Sequence, residues 1–219
     1  MKSSITFIVI FTTYLQFVVG EKSPKIVNGT DADILEFPFL VSIRYGLSHS
    51  CAGSLLNDLW IVTAAHCLYA PADLMTIEYG TTEISDGFEG AKIVGVEKFI
   101  VHEEWNYDEL RNDIGLIKLK QPLDTKLHES PVKIAVPGKY YPTGSLTTVA
   151  GWGRIGSGMP ISKTLQKVDL QIYSYADCRA ALTGNMYNLD VYRSNICAGV
   201  PEMGKAECNG DSVSTFYSL

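Results

Sequence analysis

Short apolar runs, punctuated by Gly, Pro, Asn and Asp, set the rhythm of this chain. Residues 37–45, Phe-Pro-Phe-Leu-Val-Ser-Ile-Arg-Tyr, are rich in β-branched and aromatic side chains, which predicts a strand. Residues 50–56 and 60–64 predict a second and a third, with Asn57-Asp58 as the turn between them. Further strands are expected at 74–79, 91–101, 113–119, 146–150, 165–172 and 195–200, and a short helix at 175–182. Many short strands with scarcely any 3.6-residue periodicity predict an all-β barrel or sandwich. Within 113–119, Ile114, Leu116, Ile117 and Leu119 are expected to be buried on both faces, which would carry Asp113 to the rim of a core. The stretch 123–138, with two prolines and mixed charge, reads as a connector to a second unit.

The pattern differs at the start of the chain. Lys2 precedes an apolar run from Ile5 to Val19 that is too short to span a bilayer. Small residues at Val18-Val19-Gly20 complete the signature of a signal peptide over residues 1–20, so the product is expected to be secreted and extracellular. Residues 21–25 then lead to Lys25, a basic residue beside the apolar pair Ile26-Val27. A cut after Lys25 would free an α-amino group on Ile26 with a pKa of roughly 7.7–8.0, largely protonated at neutral pH. Asn28-Gly29-Thr30 is formally a glycosylation sequon, but this segment is expected to pack away after maturation.

The 219 residues are 46% hydrophobic and 19% charged, enough for one large domain or two small ones with a sizeable core. The net charge of -6 argues against nucleic acid and anionic membrane as partners, since both need a basic face. Cysteines stand at 51, 67, 178, 197 and 208, and the odd count implies a free thiol, an intermolecular bridge or a missing partner. Cys51 and Cys67 are placed to staple the second and third strands, a closure worth about 3 kcal/mol for a loop of that size. Cys197 is expected to partner Cys178. No pair has CxxC spacing and the histidines form no cluster, so no metal site is expected. Gly151-Trp152-Gly153-Arg154-Ile155-Gly156 satisfies the G-x-G-x-x-G pattern. The loop sequence Ser157-Gly158-Met159-Pro160 follows where a helix is required, so no dinucleotide cofactor is expected.

Three distant segments carry candidate chemistry. His66 sits beside Cys67 in Thr63-Ala64-Ala65-His66-Cys67, Asp113 stands at the mouth of an apolar run, and Ser212 lies in the glycine-containing stretch 204–214. A serine hydroxyl is a weak nucleophile until a base takes its proton, and a buried carboxylate needs a partner such as a histidine N–H. His49, His102 and His128 lack such surroundings and read as structural or exposed.

Taken together these segments resemble the trypsin/chymotrypsin family of secreted serine proteases. Ile-Val-Asn-Gly at 26–29 looks like the family's activated N-terminus. Thr-Ala-Ala-His-Cys at 63–67, Asp-Ile-Gly-Leu at 113–116, Gly-Trp-Gly at 151–153, Ile-Cys-Ala-Gly at 196–199 and Gly-Asp-Ser at 210–212 are further landmarks, in the family's order. The resemblance runs from Ile26 to Ser212. It implies a double six-stranded Greek-key β-barrel, the first over 26–132 and the second, incomplete, over 133–219. It implies Ser212 as nucleophile, His66 as general base and acid, and Asp113 as the group that orients the imidazole. The N–H groups of Gly210 and Ser212 would form the oxyanion hole, and Asp211 would pair with the Ile26 ammonium in a zymogen cut after Lys25. Ala206 would floor the specificity pocket with Glu207 beside it, closer to a chymotrypsin- or elastase-type pocket than to one selecting Lys or Arg. The implied partners are protein or peptide substrates, protease inhibitors and an activating protease, acting on a monomer that needs no cofactor.

The chain departs from the family where Gly-Asp-Ser-Gly-Gly-Pro becomes Gly-Asp-Ser-Val-Ser-Thr. Val213 is β-branched and a poor occupant of a backbone position that suits glycine. The resemblance implies a C-terminally truncated second barrel, a missing partner for Cys208 and impaired activity. Three readings stand at this point: a secreted endopeptidase, an inactive homologue that binds or decoys a partner, and a splice or gene-model fragment.

Overall fold

A computed structural model describes residues 29–87, 90–124, 131–134, 140–154, 160–182, 195–199 and 215–217. Its strands are β1 (Thr30–Asp31), β2 (Leu40–Tyr45), β3 (Ser48–Leu55), β4 (Trp60–Thr63), β5 (Met75–Tyr79), β6 (Ile93–Val101), β7 (Gly115–Leu119), β8 (Leu146–Gly151), β9 (Gln166–Tyr173), β10 (Cys197–Gly199) and β11 (Thr215–Tyr217). Among the described residues one α-helix, α1 (Tyr175–Leu182), follows β9 where the sequence predicts it, with the Ser174 hydroxyl accepting the Asp177 N–H at its start. The fold is all-β, as expected.

Strands β2 to β7 close into an antiparallel barrel in the order β2-β3-β4-β7-β6-β5. Side chains alternate across a strand, so Val41 and Ile43, Met75 and Ile77, Val94 and Val96, and Ile117 and Leu119 enter the barrel from four strands. Each of these eight is at most 3% exposed. Alternation also corrects the two-sided burial expected of 113–119. Ile117 and Leu119 point in, whereas Leu116 is half-buried and Ile114 is 47% exposed on the outer side. The strand expected at 37–45 begins only at Leu40. Before it, Ile34–Glu36 form a 3-10 turn capped by Asp33, whose carboxylate accepts the Leu35 N–H at 2.9 Å. Pro38 has no N–H for a ladder.

The second sheet runs β1-β9-β8-β11, with β10 also on β9, and among the described residues it does not close. β1 and β11, two and three residues long, escape prediction because so short a run shows no period. Both expected disulfides, Cys51–Cys67 and Cys178–Cys197, are present. No helix among the described residues is long and apolar enough to cross a membrane.

The outward positions of β2 and β3 are not solvated. Leu40 and Ala52 join Ile34, Phe37, Ile84, Ala150, Trp152 and Leu165 in a second core cluster between barrel and sheet. Residues 81–87 bracket this junction. The Thr82 carbonyl accepts both the Leu165 N–H (2.8 Å) and the Trp152 indole N–H (3.0 Å), and the Ile84 N–H reaches the Lys163 carbonyl (2.9 Å). From the barrel side, Glu78 accepts the Ser85 N–H at 3.0 Å while its other oxygen meets Arg44 at 2.6 Å.

Candidate active site

His66 sits on a 3-10 turn, Ala65–Cys67, that follows β4 directly. Ala64 is still extended, at φ -76° and ψ 144°, and the Leu68 N–H then closes the turn on the Ala65 carbonyl at 2.9 Å. The turn lies against the barrel because Cys67, fully buried, is bonded to Cys51 on β3. The Tyr45 hydroxyl donates to the Cys67 carbonyl at 2.7 Å.

Asp113 is delivered by the connection between β6 and β7. Asn106 and Arg111 exchange main-chain bonds at 3.1 and 3.2 Å, and the Asn106 side chain accepts the N–H groups of Asp108 and Glu109. Leu110 and Asn112 take the left-handed conformation, at φ 48° and 57°. Asparagine adopts it readily and leucine rarely, so the segment before Asp113 is a strained one. Asn112 donates its side-chain amide to the Glu104 carbonyl at 3.1 Å, and the chain then enters β7.

Gly115, the first residue of β7, lets the two segments touch. A Cβ there would lie 2.5 Å from Leu68 Cδ1 and 3.1 Å from the Ile100 carbonyl oxygen. A Gly115→Val variant is therefore expected to lose about 1–3 kcal/mol of stability by overpacking. It should also move the His66 turn off Asp113, which a denaturation midpoint and the His66 ring resonances would report.

The two residues meet at two points. The His66 main-chain N–H donates to one Asp113 oxygen at 2.9 Å, and Nδ1 of the ring meets the other at 2.6 Å. Each side chain is about a quarter exposed. Burial alone would raise the Asp113 pKa. Hydrogen bonds from the His66 ring and main chain, the attraction of the ring and a bond from the Ala65 main chain outweigh it and leave the carboxyl below its usual value. A carboxylate at Nδ1 places the proton there and leaves Nε2 as an acceptor. Nε2 is buried and has no partner among the described residues. The arrangement can hold a neutral imidazole in one tautomer with its basic nitrogen turned away from the acid. The bond from the His66 main chain had no signal in the sequence, because it depends on the turn closing.

Lys25, Ile26, Ala206, Glu207, Cys208, Gly210, Asp211 and Ser212 lie outside the described residues, as do the signal segment 1–20 and His128. His102 is exposed, and His49 is a packed, structural histidine: its Nδ1 lies 2.8 Å from the Ser42 hydroxyl and its ring 5.9 Å from that of Trp152. Donor atoms of Cys51, Cys67 and His66 lie within 4.8 Å of one another. The two sulfurs are spent in the disulfide, so this grouping is not a metal site as it stands.

The family model described as Trypsin matches residues 26–216. The chain is 33% identical over 192 residues to a trypsin of Phaedon cochleariae, covering 86% of this chain and 72% of that protein. It is 37% identical over 197 residues to trypsin-1 of Astacus astacus, covering 85% and 80%. To serine protease 1 of Rattus norvegicus it is 36% identical over 193 residues, covering 88% and 74%.

Proposed function

The chain belongs to the trypsin family and is by family a serine endopeptidase, and from that premise we propose that it is made as a secreted zymogen of impaired activity. Residues 1–20 are the signal segment, 21–25 the activation peptide, 26–132 the first barrel and 133–219 the second. The observation that carries the reading is the two-point bond between His66 and Asp113, with Nε2 of His66 buried and unpartnered among the described residues. A buried acceptor without a donor is costly, and the Ser212 hydroxyl is the donor that the family pattern supplies.

In this reading Nε2 takes the Ser212 proton as the oxygen attacks a peptide carbonyl. It returns the proton to the leaving amine, and repeats the cycle with water on the acyl-enzyme. Asp113 stays ionised and holds the ring. The N–H groups of Gly210 and Ser212 face the developing oxyanion, each such donor being worth about 2.7–4 kcal/mol in the transition state. Asp211 draws that loop into shape by pairing with the Ile26 ammonium freed at Lys25. Ala206 gives the pocket an uncharged floor with Glu207 at its side. Substrates are proteins or peptides, and protease inhibitors are the natural ligands of the same cleft.

Val213 favours a second reading, in which the site binds a protein partner without turnover. A β-branched residue in a glycine conformation costs about 1–3 kcal/mol. The test is labelling by a fluorophosphonate after cleavage at Lys25, in the native chain and in a Val213→Gly/Ser214→Gly variant. Labelling of Ser212 is expected in both, slower in the native chain by roughly tenfold to hundredfold. Equal rates would reject impairment. Labelling of neither would reject catalysis and leave the binding reading.

A further inference from the structure

The turn that carries His66 has a tether beyond the disulfide and Asp113. Tyr45, the last residue of β2, donates its hydroxyl to the Cys67 carbonyl at 2.7 Å. That carbonyl belongs to the peptide whose N–H, on Leu68, closes the turn on Ala65 at 2.9 Å. One peptide plane thus shuts the loop around His66, and the phenol holds its far side. Cys67 is fully buried and Tyr45 half-buried, so the phenol is the donor that this inward carbonyl depends on. The Tyr69 ring covers Tyr45, with centroids 4.5 Å apart, and its own hydroxyl meets Ser50 at 3.2 Å. The anchor is firm because β2 is paired on both sides, to β3 and to β5.

We infer that Tyr45 is a positioning residue for His66: by fixing the peptide that leaves Cys67, it sets the angle at which the imidazole meets Asp113. The inference rests on the reading of His66 as the catalytic base. Both bonds from His66 to Asp113 start within one residue of that peptide, so a rotation of the plane loosens the ring and main-chain contacts together. A phenylalanine at this position keeps the ring stack and removes only the hydroxyl.

The experiment is proton NMR of the full chain, following the His66 Nδ1–H resonance and its exchange with solvent in the native protein and in Tyr45→Phe. The variant is expected to keep its near-ultraviolet circular dichroism, while the His66 Nδ1–H resonance shifts and exchanges roughly five- to tenfold faster, the loss of one hydrogen bond. An unchanged resonance and exchange rate in a folded Tyr45→Phe protein would overturn the inference, even with a lowered denaturation midpoint. Should Tyr45→Phe fail to fold, Tyr69→Ala, which strips the covering ring, is expected to give a smaller change of the same sign, and no change there would overturn it equally. A His66 resonance that responds to Tyr45→Phe in a protein whose Ser212 never labels would reject the catalytic reading and leave the positioning role intact.

Discussion

A Glu78→Gln substitution is expected to destabilise the barrel by about 3–5 kcal/mol, although it removes no carbon and no volume. Arg44 and Glu78 lie on adjacent strands, are 0% and 1% exposed, and meet at 2.6 Å. A charge so far from water depends on its partner. The neutral amide leaves the guanidinium its donors toward the Ser85 hydroxyl and the Leu47 carbonyl but takes away the Glu78 counter-charge. It also turns an N–H₂ toward either Arg44 or the Ser85 N–H, where donor would face donor. The check is a denaturant midpoint at constant slope, and a loss under about 1 kcal/mol would reject this account. Removing both charges is a different experiment. The double variant Arg44→Leu/Glu78→Leu is expected to recover most of the loss, since a buried pair exchanged for apolar side chains is often neutral or better.

Acidification from pH 7 toward 4.5 is expected to weaken the fold through His49. Burial, and then the nearby positive charge of Arg44, push this imidazole down from 6.5 to about 4. Its folded value is the depressed one, so between about 4 and 6.5 the unfolded chain holds the extra proton. Stability is therefore complete above 6.5, falls as pH drops through that window, and levels out from this source below about 4. The whole gap corresponds to about 3 kcal/mol. Urea midpoints against pH should show the slope in the native chain and lose it in His49→Asn. In Arg44→Leu/Glu78→Leu one of the two causes is gone, so the midpoint of the titration should move upward. A slope that persists in His49→Asn would assign it elsewhere.

Much of the barrel was legible because its strands alternate, and alternation is a property of sequence. The strands around Val41, Ile77, Val94 and Ile117 were placed within a few residues. At two places the local pattern misleads. Phe37-Pro38-Phe39 has strand composition, yet the Asp33 cap and the missing proline N–H make it a turn. The run Ile114 to Leu119 looked doubly buried because Lys118 alone interrupts it, and only its place in a barrel wall open to solvent on one side divides it into inner and outer halves. For the site, the short motifs around His66 and Asp113 marked the two residues. Nothing in them announced that Tyr45, twenty-one positions before His66, holds the same turn. Nor did composition suggest that Arg44 and Glu78 find each other, since a lone charge within a strand reads as an outward one.

The Thr82 carbonyl takes two donors, one from Leu165 and one from Trp152, while three residues later Ser85 is pinned to Glu78. Surface connections ordinarily absorb an added or deleted residue at little cost. Here the spacing is dictated from two directions at once, like the gauge of a rail. A residue gained or lost between 82 and 85 would force a choice of which anchor to abandon, so this exposed-looking connection has little liberty to change its length.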